Sequence, residues 1–167
     1  MKSNWAKSFA LLLESEKGYV NHASDPGGRT NLGVTQAVWE NWVGRASGEK
    51  EMRALTPEMV EPLYKKKYWD ACKCDDLPSG IDYLVFDFAV NAGVGRSAKT
   101  LQKVVGVTVD GAIGPKTIAA VKTTNDLINK FSDEKEKFYR SLPTFSSFGN
   151  GWLNRIAQVK QDAYLMV

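Results

Sequence analysis

One histidine, two cysteines and no long apolar run in 167 residues exclude several classes of chemistry before any motif is read. Zinc-dependent amidases and peptidases generally draw two or more imidazoles to the metal, and His22 alone does not supply them. A Cys–His hydrolase would need Cys72 or Cys74 to meet His22, and nothing around either cysteine suggests an activated thiolate. With one residue between them, the two cysteines do not readily reach disulfide geometry and are too few to hold a metal. Both are expected as reduced thiols, and no metal or other cofactor is expected. The apolar stretch FALLL at 9–13 falls far short of the roughly 18 residues that span a bilayer. Glu14 and Glu16 follow it with no small-residue cleavage site, so it does not read as a signal peptide. Synthesis in the cytoplasm without stable membrane association follows as the expectation.

What is present is an ordinary globular composition, 43% hydrophobic and 25% charged, with a net charge of +3. A mildly basic surface suits approach to an anionic polymer, either a bacterial envelope or nucleic acid. Lys65, Lys66 and Lys67 form the only dense basic run and read as the solvated face of a helix. No internal repeat, low-complexity tract or obvious linker appears, so residues 1–167 are expected to form a single unit, and a monomer.

The first helix carries the candidate chemistry. At about 100° per residue from Trp5, Phe9, Leu12 and Leu13 form one stripe; Glu16 falls about 20° from Trp5, inside it, and Glu14 about 180° away. Gly18 is placed to end the helix. A carboxyl among apolar side chains has its charged form disfavoured, and the negative helix end pushes the same way. Such a group can stay protonated and act as a general acid. The alternative is a Glu16 that reaches past the stripe to water or pairs with Arg29. Residues 19–34 then read as an irregular β-hairpin or Gly-rich loop, with Asp25, Pro26, Gly27 and Gly28 as turn formers. Folded back over the helix end, that loop would set Asp25 and Thr30 beside Glu16. One acid in an apolar pocket and a second in a polar setting is the pair a glycosidase needs. Alternatively, Asp25 makes an Asx-turn before Pro26, and Thr30 satisfies backbone.

The remaining chain reads as helices. Thr35 caps a segment bearing Val38, Trp39, Trp42 and Val43; Thr56-Pro57 opens another, with Pro62 as a candidate kink. Ser79 begins SGIDYLVFDFAVNAG, apolar nearly all round and hence a buried central helix, with Asp82 as an acidic capping-box residue. RSAKTLQKVVG ends on Gly106, and Asp110-Gly111 turns into a short helix opened by Pro115. Two further helices follow, near 126–141 and 152–166, linked by PTFSSFGNG. The aromatics Tyr19, Trp39, Trp42, Tyr64, Tyr68 and Trp69 read mainly as core, with Tyr19 and Trp69 the two expected to stack on sugar rings.

The stretch EKGY at 16–19, Asn21, and DPGGRTNLG at 25–33 resembles the N-terminal motif of glycoside hydrolase family 108, the phage and bacterial lysozyme-like muramidases. Lys17 stands where that family has glycine. VNAGVGRSAKTLQKVVGVTVDGAIGPKT resembles the C-terminal part of the same proteins, often called a peptidoglycan-binding domain, and FGNGWLNR at 148–155 is similar to their late Gly-Trp-x-x-Arg element. The resemblance implies a mainly α, lysozyme-like fold with a small N-terminal β-hairpin, a catalytic part over 1–90 and a C-terminal helical part over 91–167 packed on it. It implies a muramidase acting on bacterial peptidoglycan rather than nucleic acid, with Glu16 catalytic and Asp25 and Thr30 as its partners. Expected substrate contacts are Tyr19, Asn21, Arg29, Asn31, Trp69 and Asn91. By analogy the protein is an endolysin that collects in the host cytoplasm and reaches the wall after holin-type release. A lytic transglycosylase, or a non-catalytic peptidoglycan-binding or secretion-accessory module, is the competing reading.

Overall fold

Short clusters of turn residues cut the apolar periodicity into many helices and leave one small sheet. The computed structural model describes residues 4–16, 18–21 and 28–167. In chain order these form α1 (Trp5–Ser15), β1 (Val20–Asn21), β2 (Arg29–Asn31), β3 (Val34–Thr35), α2 (Gln36–Val43), α3 (Glu49–Arg53) and α4 (Pro57–Tyr64). A π-helical segment over Lys65–Asp70 and a 3-10 turn over Cys74–Asp76 lead to α5 (Ile81–Ala92), α6 (Val94–Val105), α7 (Pro115–Thr123), α8 (Leu127–Arg140) and α9 (Phe145–Tyr164). The fold is mainly α and lysozyme-like, with a small antiparallel sheet, the class implied by the sequence. The chain divides into two compact units: Ala6–Lys67, and Tyr68–Val167 together with Asn4 and Trp5.

In the unit Ala6–Lys67, β1 pairs antiparallel with β2, Val20 opposite Thr30 and Asn21 opposite Arg29. β2 pairs antiparallel with β3, Asn31 opposite Val34. Between them lie only Leu32 and Gly33, with φ of 51° and 77°. Positive φ at both central residues is what a type I′ hairpin turn demands. Thr35 caps α2 by accepting from the Val38 N–H at 3.3 Å, and Thr56 caps α4 through the Met59 N–H at 3.4 Å, with Pro57 in the first turn. Pro62 does not break α4, which runs on to Tyr64 and then widens directly into the π-helical segment. The ring of Phe9 on α1 meets that of Tyr64 on α4, centroids 5.7 Å apart.

In the other unit, α5 is buried without interruption from Ile81 to Ala89, and α6, α8 and α9 all pack on it. Ser79 is not its cap. Gly80 takes the N-cap position at φ 87°, where a Cβ would meet the Ala163 carbonyl oxygen at 2.6 Å. Asp82 Oδ1 accepts from the N–H groups of Gly80 (2.9 Å) and Tyr83 (2.8 Å), so the acid still satisfies the helix start. The expected loop PTFSSFGNG is also different: α9 already begins at Phe145. Glycines weaken a helix by roughly 1 kcal/mol each, but aromatic packing outweighs this. Trp152 lies 5.1 Å from the Tyr139 ring and 5.8 Å from that of Phe148. Gly149 leaves room for the Phe145 ring, which a Cβ would meet at 2.7 Å. Cys72 and Cys74 are free, buried thiols, and burial pushes the Cys74 thiol well up, away from reactivity.

Asp87, in the middle of α5, is wholly buried, and its two oxygens accept from Lys135 Nζ on α8 and Arg155 Nη2 on α9, the latter at 2.6 Å. Burial alone would raise this carboxyl, yet Lys135 and Arg155 more than offset it and hold it below the usual range. Asp87→Ala would strand Lys135, which is 1% exposed, and is expected to lower unfolding free energy by about 3–5 kcal/mol. Because the folded carboxyl is depressed, its contribution is present above the ordinary aspartate pKa and lost as pH falls through the folded value. Asp82, raised chiefly by burial, gives a slope of opposite sign, but it does so in both proteins and cancels. Urea unfolding across pH should therefore show the wild-type advantage shrinking below about pH 4.

Candidate functional site

The candidate acid stands just outside its helix. Ser15 donates its hydroxyl to the Leu12 carbonyl at 2.7 Å, and α1 ends there rather than at Gly18. Glu16 follows in a bend, its N–H reaching the Leu13 carbonyl at 3.2 Å as a tightened last turn. Glu14 is exposed and Glu16 half-buried.

The Glu16 carboxyl lies against the β2–β3 turn. A Cβ built on Gly33 would sit 2.8 Å from Glu16 Oε2 and 2.5 Å from the Tyr64 hydroxyl oxygen. Residue 33 therefore has two reasons to be glycine, a left-handed φ and no room for a side chain. Tyr64, at the end of α4, donates its hydroxyl to the Leu32 carbonyl at 2.7 Å. Neither Leu32 nor Tyr64 figured among the expected site residues. The Leu-Gly pair between TN and VT was the available signal, since a two-residue hairpin turn brings backbone close to whatever it faces.

The other expected residues take varied positions. Thr30 is half-buried in the middle of β2, opposite Val20 and Thr35. Arg29 donates from Nη1 to Gln36 Oε1 at 3.0 Å, and Gln36 in turn donates to Glu40 and the Ser47 carbonyl. Tyr19 lies under the Arg53 guanidinium, 4.0 Å from its ring centroid. Arg53 in turn holds the Glu49 carboxyl below its usual range, with Arg29 acting the same way. Asn21 is exposed on β1. Asn31 is 6% exposed and gives its amide to the Met52 carbonyl at 2.9 Å, a bond that ties β2 to α3.

In the other unit, Trp69 corrects the expectation of a sugar platform. Its ring is fully buried between Trp5 (5.3 Å) and Phe86 (5.5 Å), with Nε1 donating to Asp75 at 3.0 Å. No face is left for a sugar. Asn91 is exposed near the end of α5 and donates to the Asp87 carbonyl at 2.9 Å. Asp25 and His22 lie outside the described residues. Among the described residues no three His, Cys, Asp or Glu side chains gather to hold a metal ion.

Two family models match the chain. Glycosyl hydrolase 108 matches residues 9–93, and a predicted peptidoglycan domain matches residues 96–157. Among solved structures, that of Brucella abortus SagA is similar at 41% sequence identity and a TM-score of 0.90, covering 99% of this chain and 97% of that one. No curated protein sequence matches.

The crowding at Gly33 can be isolated from its backbone requirement. Gly44 has nearly the same φ, 74°, but open space where a Cβ would go. Both Gly→Ala changes carry the left-handed penalty of about 1 kcal/mol; only Gly33→Ala also displaces Glu16 and Tyr64. Chemical denaturation should show the greater loss of stability for Gly33→Ala, and equal losses would mean that the turn yields freely.

Proposed function

The chain belongs to the glycosyl hydrolase 108 family, and on that premise we propose that it cleaves the β-1,4 bond between N-acetylmuramic acid and N-acetylglucosamine in bacterial peptidoglycan, with Glu16 as general acid. The observation that carries this reading is the Glu16 carboxyl, half-buried and pressed against the Gly33 turn. Restricted space keeps a carboxyl in few orientations, as proton transfer to a leaving oxygen requires. The predicted peptidoglycan domain over 96–157 supports the choice of polymer.

In this reading a glycosidic oxygen takes the Glu16 proton as the bond to the anomeric carbon breaks. Positive charge develops on the sugar ring, and water completes the hydrolysis. Asp25 stabilises that charge or directs the water, and Thr30 on the neighbouring strand supplies a hydrogen bond. The biological role proposed is that of an endolysin.

A general acid contributes about two to four powers of ten in rate. Glu16→Gln keeps the shape but has no proton to give, so wall hydrolysis should fall at least about a hundredfold, while Glu14→Gln stays near wild type. Asp25→Ala should also lose most activity with the melting temperature retained. Clearing of purified walls and mass analysis of released muropeptides provide the readout. Equal losses from the two glutamate variants would overturn the assignment. Anhydro-muramic ends, lighter by one water, would replace hydrolysis with transglycosylation.

A further inference from the structure

We propose that Tyr64 is a positioning residue for the Glu16 carboxyl, acting through the Leu32–Gly33 turn; the inference rests on Glu16 being the general acid.

Tyr64 is 1% exposed, and its ring is fixed against Phe9. The hydroxyl is therefore delivered to one place, where it donates to the Leu32 carbonyl at 2.7 Å. Leu32 holds φ 51°, a left-handed conformation that a leucine rarely adopts. A strained residue keeps such a conformation only when its surroundings over-determine it. Here the strands on either side and the hydroxyl bond do so together.

The next residue transmits the constraint. The point beside Gly33 where a Cβ would stand is reached by the Tyr64 oxygen at 2.5 Å and by Glu16 Oε2 at 2.8 Å, with Glu16 Cδ at 2.9 Å. Carboxyl and hydroxyl thus lie on the same side of one Cα. The turn forms the stop against which the carboxyl rests, and the hydroxyl fixes where that stop is. Loss of the hydroxyl leaves the Leu32 carbonyl without this donor and frees the turn to relax from its strained geometry. Glu16 would then lose its defined orientation rather than its proton.

Such a role makes a separable prediction. A displacement of about 1 Å at a reacting group can cost about a hundredfold in rate. Tyr64→Phe should lower kcat on soluble peptidoglycan fragments at least about tenfold while KM changes less than about twofold. Gly44→Ala serves as the control: it destabilises through its left-handed φ, with open space around the added Cβ and no contact with Tyr64 or Glu16, and should keep kcat even where its melting temperature falls as far. In the Glu16→Gln background, Tyr64→Phe should cause no further loss, because no proton donor remains to be oriented. Equal kcat losses in Gly44→Ala and Tyr64→Phe would assign the effect to general stability and overturn the inference. Full additivity with Glu16→Gln would overturn it as well. An inactive Glu16→Gln beside a Tyr64→Phe enzyme of wild-type kcat overturns it alone; a fully active Glu16→Gln overturns the general-acid reading and this inference together.

Discussion

The space beside the Gly33 Cα, where any other residue would carry a side chain, is filled by the carboxylate oxygen of Glu16 and the hydroxyl of Tyr64. That single exclusion brings the end of α1, the β2–β3 turn and the end of α4 together. The neighbours of the turn are arranged to keep it there. Asn31, just before it, is tied to the Met52 carbonyl of α3, and Thr35, just after it, caps α2. The hydroxyl of Tyr64 holds the Leu32 carbonyl between them. A candidate acid on a bend would ordinarily be imprecise. Here it borrows its precision from rigid elements on three sides.

The second unit solves a different problem with the same residue type. Asp82 and Asp87 both lie in the buried stretch of α5, yet their surroundings push them in opposite directions. Asp82 meets an asparagine amide and backbone N–H groups, and burial prevails, so its carboxyl is raised. Asp87 meets Lys135 and Arg155, and the two cations prevail, so it is depressed. Burial alone therefore does not mark an acid for proton transfer. What it faces decides, and a carboxylate neutralised by two fixed cations is a strut between helices. Arg155 closes the late Gly-Trp-x-x-Arg element, and in this structure both large side chains of that element have packing tasks: the arginine on Asp87, the tryptophan among Tyr139, Phe145 and Phe148.

Much of this was legible in the sequence where local rules govern. Thr35, Thr56-Pro57 and Gly106 mark helix boundaries because caps act within one turn of chain. The apolar stretch around Phe86 announces a central helix, but nothing in that stretch pointed to Asp87 as the acid that Lys135 and Arg155 meet. What could not be read was decided by distant contacts. Helix α9 starts seven residues earlier than its polar, glycine-bearing start suggested, since the aromatic cluster forms only in the folded chain. Trp69 looked like a surface ring after a run of lysines, but the π-helical segment turns it inward. Helical phase separated Glu14 from Glu16 although the helix stops between them, because one tightened turn carries the phase on.

The loop motif itself divides between chemistry and construction, and the division follows from which atoms are already committed. For Asn31 to hold a sugar, its amide would have to surrender a buried bond to the Met52 carbonyl, leaving that oxygen unsatisfied at a cost of about 1–3 kcal/mol. Arg29 is similarly engaged with Gln36, and Gly33 is spent on the turn. Residues with such tasks are poor candidates for contacts that must form and break in each catalytic cycle. Asn21 is exposed on the strand opposite Arg29, Thr30 is half-buried on the central strand, and Tyr19 presents a ring already stiffened by Arg53 on one side. The proposed sugar contacts therefore fall to Tyr19, Asn21 and Thr30. Arg29, Asn31 and Gly33 instead fix the small sheet and its turn, against which the carboxyl of Glu16 rests.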